Sequence, residues 1–127
     1  MKVKIIEINN IDDKIKVTFL SELGEGLGYW QGTNPEMNNT YFVELDIQET
    51  LVFGNNISKI LNHPNSILIS DEITTIIGKI EFIEDNCIIL RIGKSIIMIE
   101  VDKLQEFNQG ETVLITTERL LLIDMNF

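Results

Sequence analysis

Tyr41-Phe42-Val43-Glu44-Leu45-Asp46-Ile47-Gln48 decides the reading of this chain. Tyr41, Val43, Leu45 and Ile47 fall on one face, and Glu44, Asp46 and Gln48 on the other. Strict alternation of this kind is the mark of a half-buried strand, here with an acidic outer face. The same period runs through Lys14 to Leu20, where Ile15, Val17 and Phe19 share a face. Val3 to Ile8 is a further strand, joined to it through an Asn9-Asn10-Ile11-Asp12-Asp13 turn.

The C-terminal half reads as hairpins. Lys79 to Ile83 and Cys87 to Ile92 flank the turn-forming triplet Glu84-Asp85-Asn86. Cys87 to Ile92 and Ile96 to Val101 flank Gly93-Lys94, a two-residue loop in which Gly supplies positive φ. Thr112 to Thr116 and Leu120 to Asp124 are expected to pair with each other. These strands carry few polar positions, so burial on both faces or closure into a barrel is expected. Two short helical pieces are expected, at Asp102 to Phe107 with Asp102 as N-cap, and at Ile57 to Leu61 before His63-Pro64. Ser21 to Thr40 reads as one long glycine-rich loop, and loops of that length are usually functional.

Composition agrees with sheet. Ile occurs 23 times, Asn 12 times and Ala never among the 127 residues. β-branched residues favour strands, and Ala is the strongest helix former. The expected class is all-β: a barrel-like antiparallel sheet with hairpins and one or two short helices. A single domain over 1–127 is expected, with an N-terminal sheet portion about 1–61 and a C-terminal barrel portion about 66–127. Two separate domains of half that length would each be marginal.

Several functions lose support. The longest apolar runs, such as Ile96 to Ile99 and Leu120 to Ile123, are four residues, whereas a spanning helix needs about twenty. Lys2 and Lys4 are followed by Glu7, Asp12 and Asp13 without an apolar segment, so no secretory leader is expected. Cys87 is the only cysteine, and a reducing cytoplasm is the expected setting. His63 is the only histidine, and no nucleophile–base pair or metal-ligand spacing surrounds it. No enzyme activity, metal or cofactor is expected. Gly24, Gly26 and Gly28 do not complete G-x-G-x-x-G, and Gly93-Lys94-Ser95 has Ile88 where a phosphate loop needs glycine.

Charge is the informative signal. The chain has 20 acidic and 10 basic residues, a net charge of −10. Residues 17–58 contain no Lys or Arg and six acids: Glu22, Glu25, Glu36, Glu44, Asp46 and Glu49. Such a surface repels phosphate backbones and anionic lipid and attracts basic proteins. Neither nucleic acid nor membrane is therefore an expected partner. Tyr29 lies in the same stretch and is the candidate aromatic contact, since Tyr buries large area with few rotors. Its neighbour Trp30, the only tryptophan, reads as core, with an interface contact as the open alternative.

Two resemblances accompany these readings. Gly78-Lys79-Ile80, the Cys87 to Ile92 strand, Gly93, the Ile96 to Val101 strand, Asp102 to Phe107 and Gly110-Glu111-Thr112-Val113 resemble a small oligonucleotide/oligosaccharide-binding (OB-like) barrel. Leu120-Leu121-Leu122-Ile123 would close it. Nucleic-acid binders of that class resemble one another in a basic groove with stacking aromatics. Here the matching strands offer only Phe82, in a half that is net acidic. The N-terminal half resembles small acidic immunity proteins of contact-dependent inhibition and other polymorphic toxin systems. The stretch Tyr29-Trp30-Gln31-Gly32, Pro35, the Tyr41 to Ile47 strand and Leu51-Val52-Phe53-Gly54-Asn55-Asn56-Ile57 carry that likeness. It implies a cytoplasmic, non-enzymatic inhibitor of one toxin domain, often a basic nuclease.

The expected function is thus neutralisation of a basic protein partner, most concretely a toxin nuclease. Glu22, Glu25, Glu36, Glu44, Asp46 and Glu49 would supply charge, and Tyr29 the aromatic contact. The alternatives are an OB-like module for single-stranded nucleic acid or oligosaccharide, and a structural subunit that joins an assembly through a strand edge.

Overall fold

The computed structural model describes residues 1–126. Its strands are β1 (Lys2–Ile11), β2 (Lys14–Ser21), β3 (Gly24–Gln31), β4 (Thr40–Ile47), β5 (Thr50–Leu51), β6 (Ile57–Ile60), β7 (Ser66–Ser70), β8 (Ile73–Glu84), β9 (Cys87–Ile92), β10 (Ser95–Val101), β11 (Thr112–Thr117) and β12 (Leu120–Asp124). One helical turn, Leu104–Glu106, interrupts them. The all-β, barrel-like class is therefore correct.

Five strands close into a barrel. β4, β1, β2 and β3 are antiparallel neighbours in that spatial order, the arrangement of a Greek key. β12 fills the gap between β4, to which it is antiparallel, and β3, to which it is parallel. The ring therefore takes its fifth member from the far end of the described chain. Val3, Ile5, Val17, Phe19, Trp30, Val43, Leu45, Leu120 and Leu122 are buried. Each fully buried aliphatic side chain contributes about 1.5–3 kcal/mol.

The intervening strands form a second, rolled sheet. Its order runs β6-β11-β8-β9-β10-β5, with β7 also paired to β8. A bridge between Phe53 and Ile57 brings its two ends together. Most buried hydrophobic residues of both parts belong to one cluster. The junction is narrow. Gly24 of β3 pairs with Ile67 of β7. Gly24 has φ +130°, and a Cβ there would overlap the Ile67 carbonyl.

Thr74 provides a second clasp between the two parts. Its side chain is fully buried. Its hydroxyl accepts from the Leu27 N–H at 3.0 Å and donates to the Leu27 carbonyl at 2.8 Å. Thr74→Val removes both bonds and leaves two backbone groups of β3 without a partner. A loss of about 1–3 kcal/mol is expected by urea denaturation, with Thr74→Ser retaining most of the stability.

Several local expectations are corrected. Ser21 to Thr40 is not one loop, because Gly24–Gln31 is an eight-residue strand. Gly26 and Gly28 occupy its inward positions, where Phe19 and Leu122 already fill the barrel. Ile57 to Leu61 is not helical: Ile57–Ile60 is strand β6, which pairs with β11 and buries Ile57. Asp102 does not cap a helix: its Oδ1 accepts the Phe53 N–H at 2.9 Å, and the helix shrinks to a single turn without a side-chain cap. Finally, β11 and β12 do not pair. Both edges of β11 are taken by β6 and β8, and both edges of β12 by β3 and β4. Leu120 to Ile123 thus closes the ring of N-terminal strands, not the C-terminal sheet.

The turns explain part of the acidity. Asp12-Asp13 and Asp71-Glu72 form two-residue hairpin turns with positive φ at both positions. Asp tolerates that region better than most residues, and two positive φ values suit the strand twist. Asn9 to Ile11, expected in the first turn, instead extend β1.

Candidate functional site

β4 displays its acids as its alternation dictates. Val43, Leu45 and Ile47 are buried, Glu44 is exposed and Asp46 half-buried. Directly after β4 the chain turns into β5, whose Thr50 lies beside Glu100 of β10 in parallel register. The result is a recess of about 480 Å³ lined by Asp46, Glu49, Glu100, Met98 and Cys87, among others. Among the described residues, no Lys or Arg lines it. Met98 is 58% exposed. Three carboxylates beside an exposed thioether make a surface suited to a cationic side chain with an aliphatic stem.

Glu100 was invisible to the sequence reading. It lies far from β4 in the chain, and only the β5–β10 pairing brings it there. Glu49, by contrast, is largely occupied within the molecule. Its Oε1 accepts from Asn56 Nδ2 at 3.5 Å and Thr117 Oγ1 at 3.4 Å, and its Oε2 lies 3.7 Å from Arg119 Nε.

The other candidates lie elsewhere. Glu36 sits in the connection between β3 and β4. Its Oε2 accepts from Asn39 Nδ2 at 3.1 Å, and its backbone N–H donates to Tyr41 Oη at 2.8 Å. Glu25 is half-buried on the outer face of β3, opposite Leu20. Glu22 is exposed in the β2–β3 turn. The seven candidates therefore do not form one face.

Tyr29 occupies different surroundings from those its chain neighbours suggest. Across the barrel wall the register runs Asp46, Leu121, Tyr29, Lys16. Asp46 and Tyr29 thus flank Leu121, two strand spacings of about 4.8 Å apart. The ammonium groups of Lys14 and Lys16 each lie 5.6 Å from the Tyr29 ring centroid. Cations at that distance are drawn to the ring face. The adjoining recess, about 750 Å³, also holds Gln31, Gln48, Glu118 and Arg119. The signal lay in Lys14-x-Lys16, two residues that share one strand face. Trp30 is 7% exposed, as its reading as core requires.

Among the described residues, no group of three or more His, Cys, Asp or Glu could hold a metal ion. Cys87 is a free, half-buried thiol. Among the described residues, no helix is long and apolar enough to cross a membrane. No protein-family model, curated protein or solved structure matches this chain. Fold and surface chemistry therefore define the class: an all-β barrel protein with an acidic recess beside one of mixed charge.

Proposed function

We propose that this protein is a non-catalytic binding protein whose acidic seam engages a basic protein partner. One observation carries the reading: Asp46, Glu49 and Glu100 line a single recess that no Lys or Arg lines, next to Glu44 on the same strand. The N-terminal resemblance to immunity proteins makes a toxin nuclease the specific form of that partner. Complementary charge steers such encounters, with rates up to about 10⁸–10⁹ M⁻¹s⁻¹ at low salt. Glu44, Asp46 and Glu100 supply the steering charge. Glu49 fastens the end of β4 to β11 and Arg119.

The test compares native protein with the triple variant Glu44→Lys, Asp46→Lys, Glu100→Lys in low-salt pull-downs from the native host. One basic protein near equal stoichiometry is expected with the native form. Its association rate with the triple variant should fall roughly tenfold or more, and the gap should narrow at high salt. An unchanged rate removes the seam from the mechanism.

Tyr29 favours a second reading. Barrels of the OB type bind oligonucleotides and oligosaccharides on the face of strands 2 and 3 and on adjoining loops. Here Lys14, Lys16 and Tyr29 stand on that face, and Arg119 precedes the strand that closes the ring. Retention of single-stranded nucleic acid, lost on Tyr29→Ala, would favour this reading over the first.

A further inference from the structure

Three lysines converge in a protein of net charge −10. Lys2 and Lys4 stand on the outer face of β1. Lys2 lies opposite Phe42, and Lys4 lies between Thr40 and Leu20. Phe42 is 45% and Leu20 47% exposed, so the pair of ammonium stems is flanked by apolar surface. The tip of the β9–β10 hairpin forms the opposite wall and contributes Lys94 and Ser95. That tip is held in place. Gly93 adopts φ +65°, and a Cβ there would lie 3.3 Å from the Leu23 side chain of the β2–β3 turn.

The resulting groove has a volume of about 610 Å³. None of its lysines forms an ion pair among the described residues. Among the described residues, Glu22 is the one acid that lines it. Burial lowers the pKa of the Met1 ammonium, with Glu44 opposing the shift. A neighbouring groove of about 410 Å³ shares Met1, Phe42, Lys94 and Ser95 and continues to Ile96 and Met125. Arg91 lines that extension, but its guanidinium is paired with Glu81 at 2.8 Å.

We infer that this groove binds an extended acidic segment of another protein, in which two or three carboxylates adjoin one large apolar side chain. Charge complementarity sets the sign. Three unpaired ammonium groups beside exposed apolar surface match an anion with an apolar neighbour. The acids at the two ends set the size. Glu22 lines one groove and Glu44 the other. A continuous polyanion would run past the lysines into one of these carboxylates, whereas a short acidic segment ends between them. The shared lining makes the site elongated, as an extended chain requires. This site shares Glu44 with the acidic seam and is otherwise lined by different residues, so it does not rest on that reading.

The test uses the full chain and a fluorescein-labelled peptide of sequence Asp-Glu-Phe-Leu-Glu-Asp, read by fluorescence anisotropy. Binding is expected to weaken at least about tenfold in the triple variant Lys2→Glu, Lys4→Glu, Lys94→Glu, and to persist when the same positions become Arg. Phe42→Ser should weaken it with the lysines intact. The double variant Asp46→Lys, Glu100→Lys, at acids that line neither groove, should leave it unchanged, which separates the two sites. Thermal melts confirm that each variant is folded. Equal binding by the Lys-to-Glu variant, no saturable binding by the native protein, or equal binding of a labelled oligothymidylate overturns the inference. So does displacement of the peptide by a second copy of this chain.

Discussion

Replacing Gly28 by valine is expected to cost about 3 kcal/mol or more, a large share of the 5–15 kcal/mol that holds a typical domain folded. Gly28 faces the barrel interior from β3. A Cβ there would run into a Leu122 methyl and would lie 2.9 Å from the Leu120 carbonyl oxygen. The methyl can swing aside. The carbonyl belongs to the strand that closes the ring and cannot move without breaking register. Valine adds two further carbons in the same direction. Urea unfolding followed by Trp30 fluorescence measures the loss. Thr18→Val is the control, because Thr18 lies on the outer face of the adjoining strand, opposite Leu27. A shift within about 0.5 kcal/mol is expected there. A Gly28→Val protein as stable as the native one would mean that β3 and β12 do not meet at this point.

Trp30→Ala is expected to cost about 3–5 kcal/mol, the range for deleting a large buried aromatic. Three interactions are lost together. The indole body leaves the barrel interior, where it is 7% exposed. Its Nε1–H no longer donates to the Thr33 carbonyl at 2.7 Å. Its edge-on contact with Tyr41, at 5.0 Å between centroids, disappears. Trp30→Phe separates these contributions, since it keeps much of the apolar volume and removes the donor. Half or more of the alanine loss should be recovered. Thermal unfolding followed by far-ultraviolet circular dichroism reads both variants, because neither retains a tryptophan. Equal losses for the two would assign the effect to the Thr33 bond alone.

Periodicity made much of this fold legible. In Tyr41 to Gln48 and Lys14 to Leu20, large apolar residues sit at every inward position, and both segments are strands. Gly24 to Gln31 has the same period, but glycines hold two of its three buried positions, with Trp30 the third, so the hydrophobic alternation vanishes. Those glycines are there because neighbouring side chains already fill the space, a fact held in distant residues. Pairing was less legible still. The Gly93-Lys94 hairpin could be read because a two-residue turn fixes its own register. The partners of Leu120 to Asp124 could not. Thr117 and Leu120 are separated by two residues, yet their strands join different sheets.

The binding surfaces divide along the same line. Glu44 and Asp46 were readable because they alternate with core residues on one strand. Glu100 and Lys94 were not, since each reaches its site through β10. Grouping Tyr29 with the acids followed chain order, whereas its ring faces lysines from β2. Net charge described the surface as a whole and concealed its division into regions of opposite sign.

The ring of β1 to β4 waits for its fifth stave. During synthesis at about 5–20 residues per second, the first four strands emerge well before Leu120 to Asp124 are made. For those seconds the inner faces of β3 and β4 lack the strand that separates them, and the β3 glycines leave a slot where Leu120 and Leu122 will sit. The nascent chain therefore exposes two unpaired strand edges until translation passes residue 124. The rolled sheet of β5 to β11 is complete in sequence before that point, so the ribosome delivers the inserted part before the barrel that frames it.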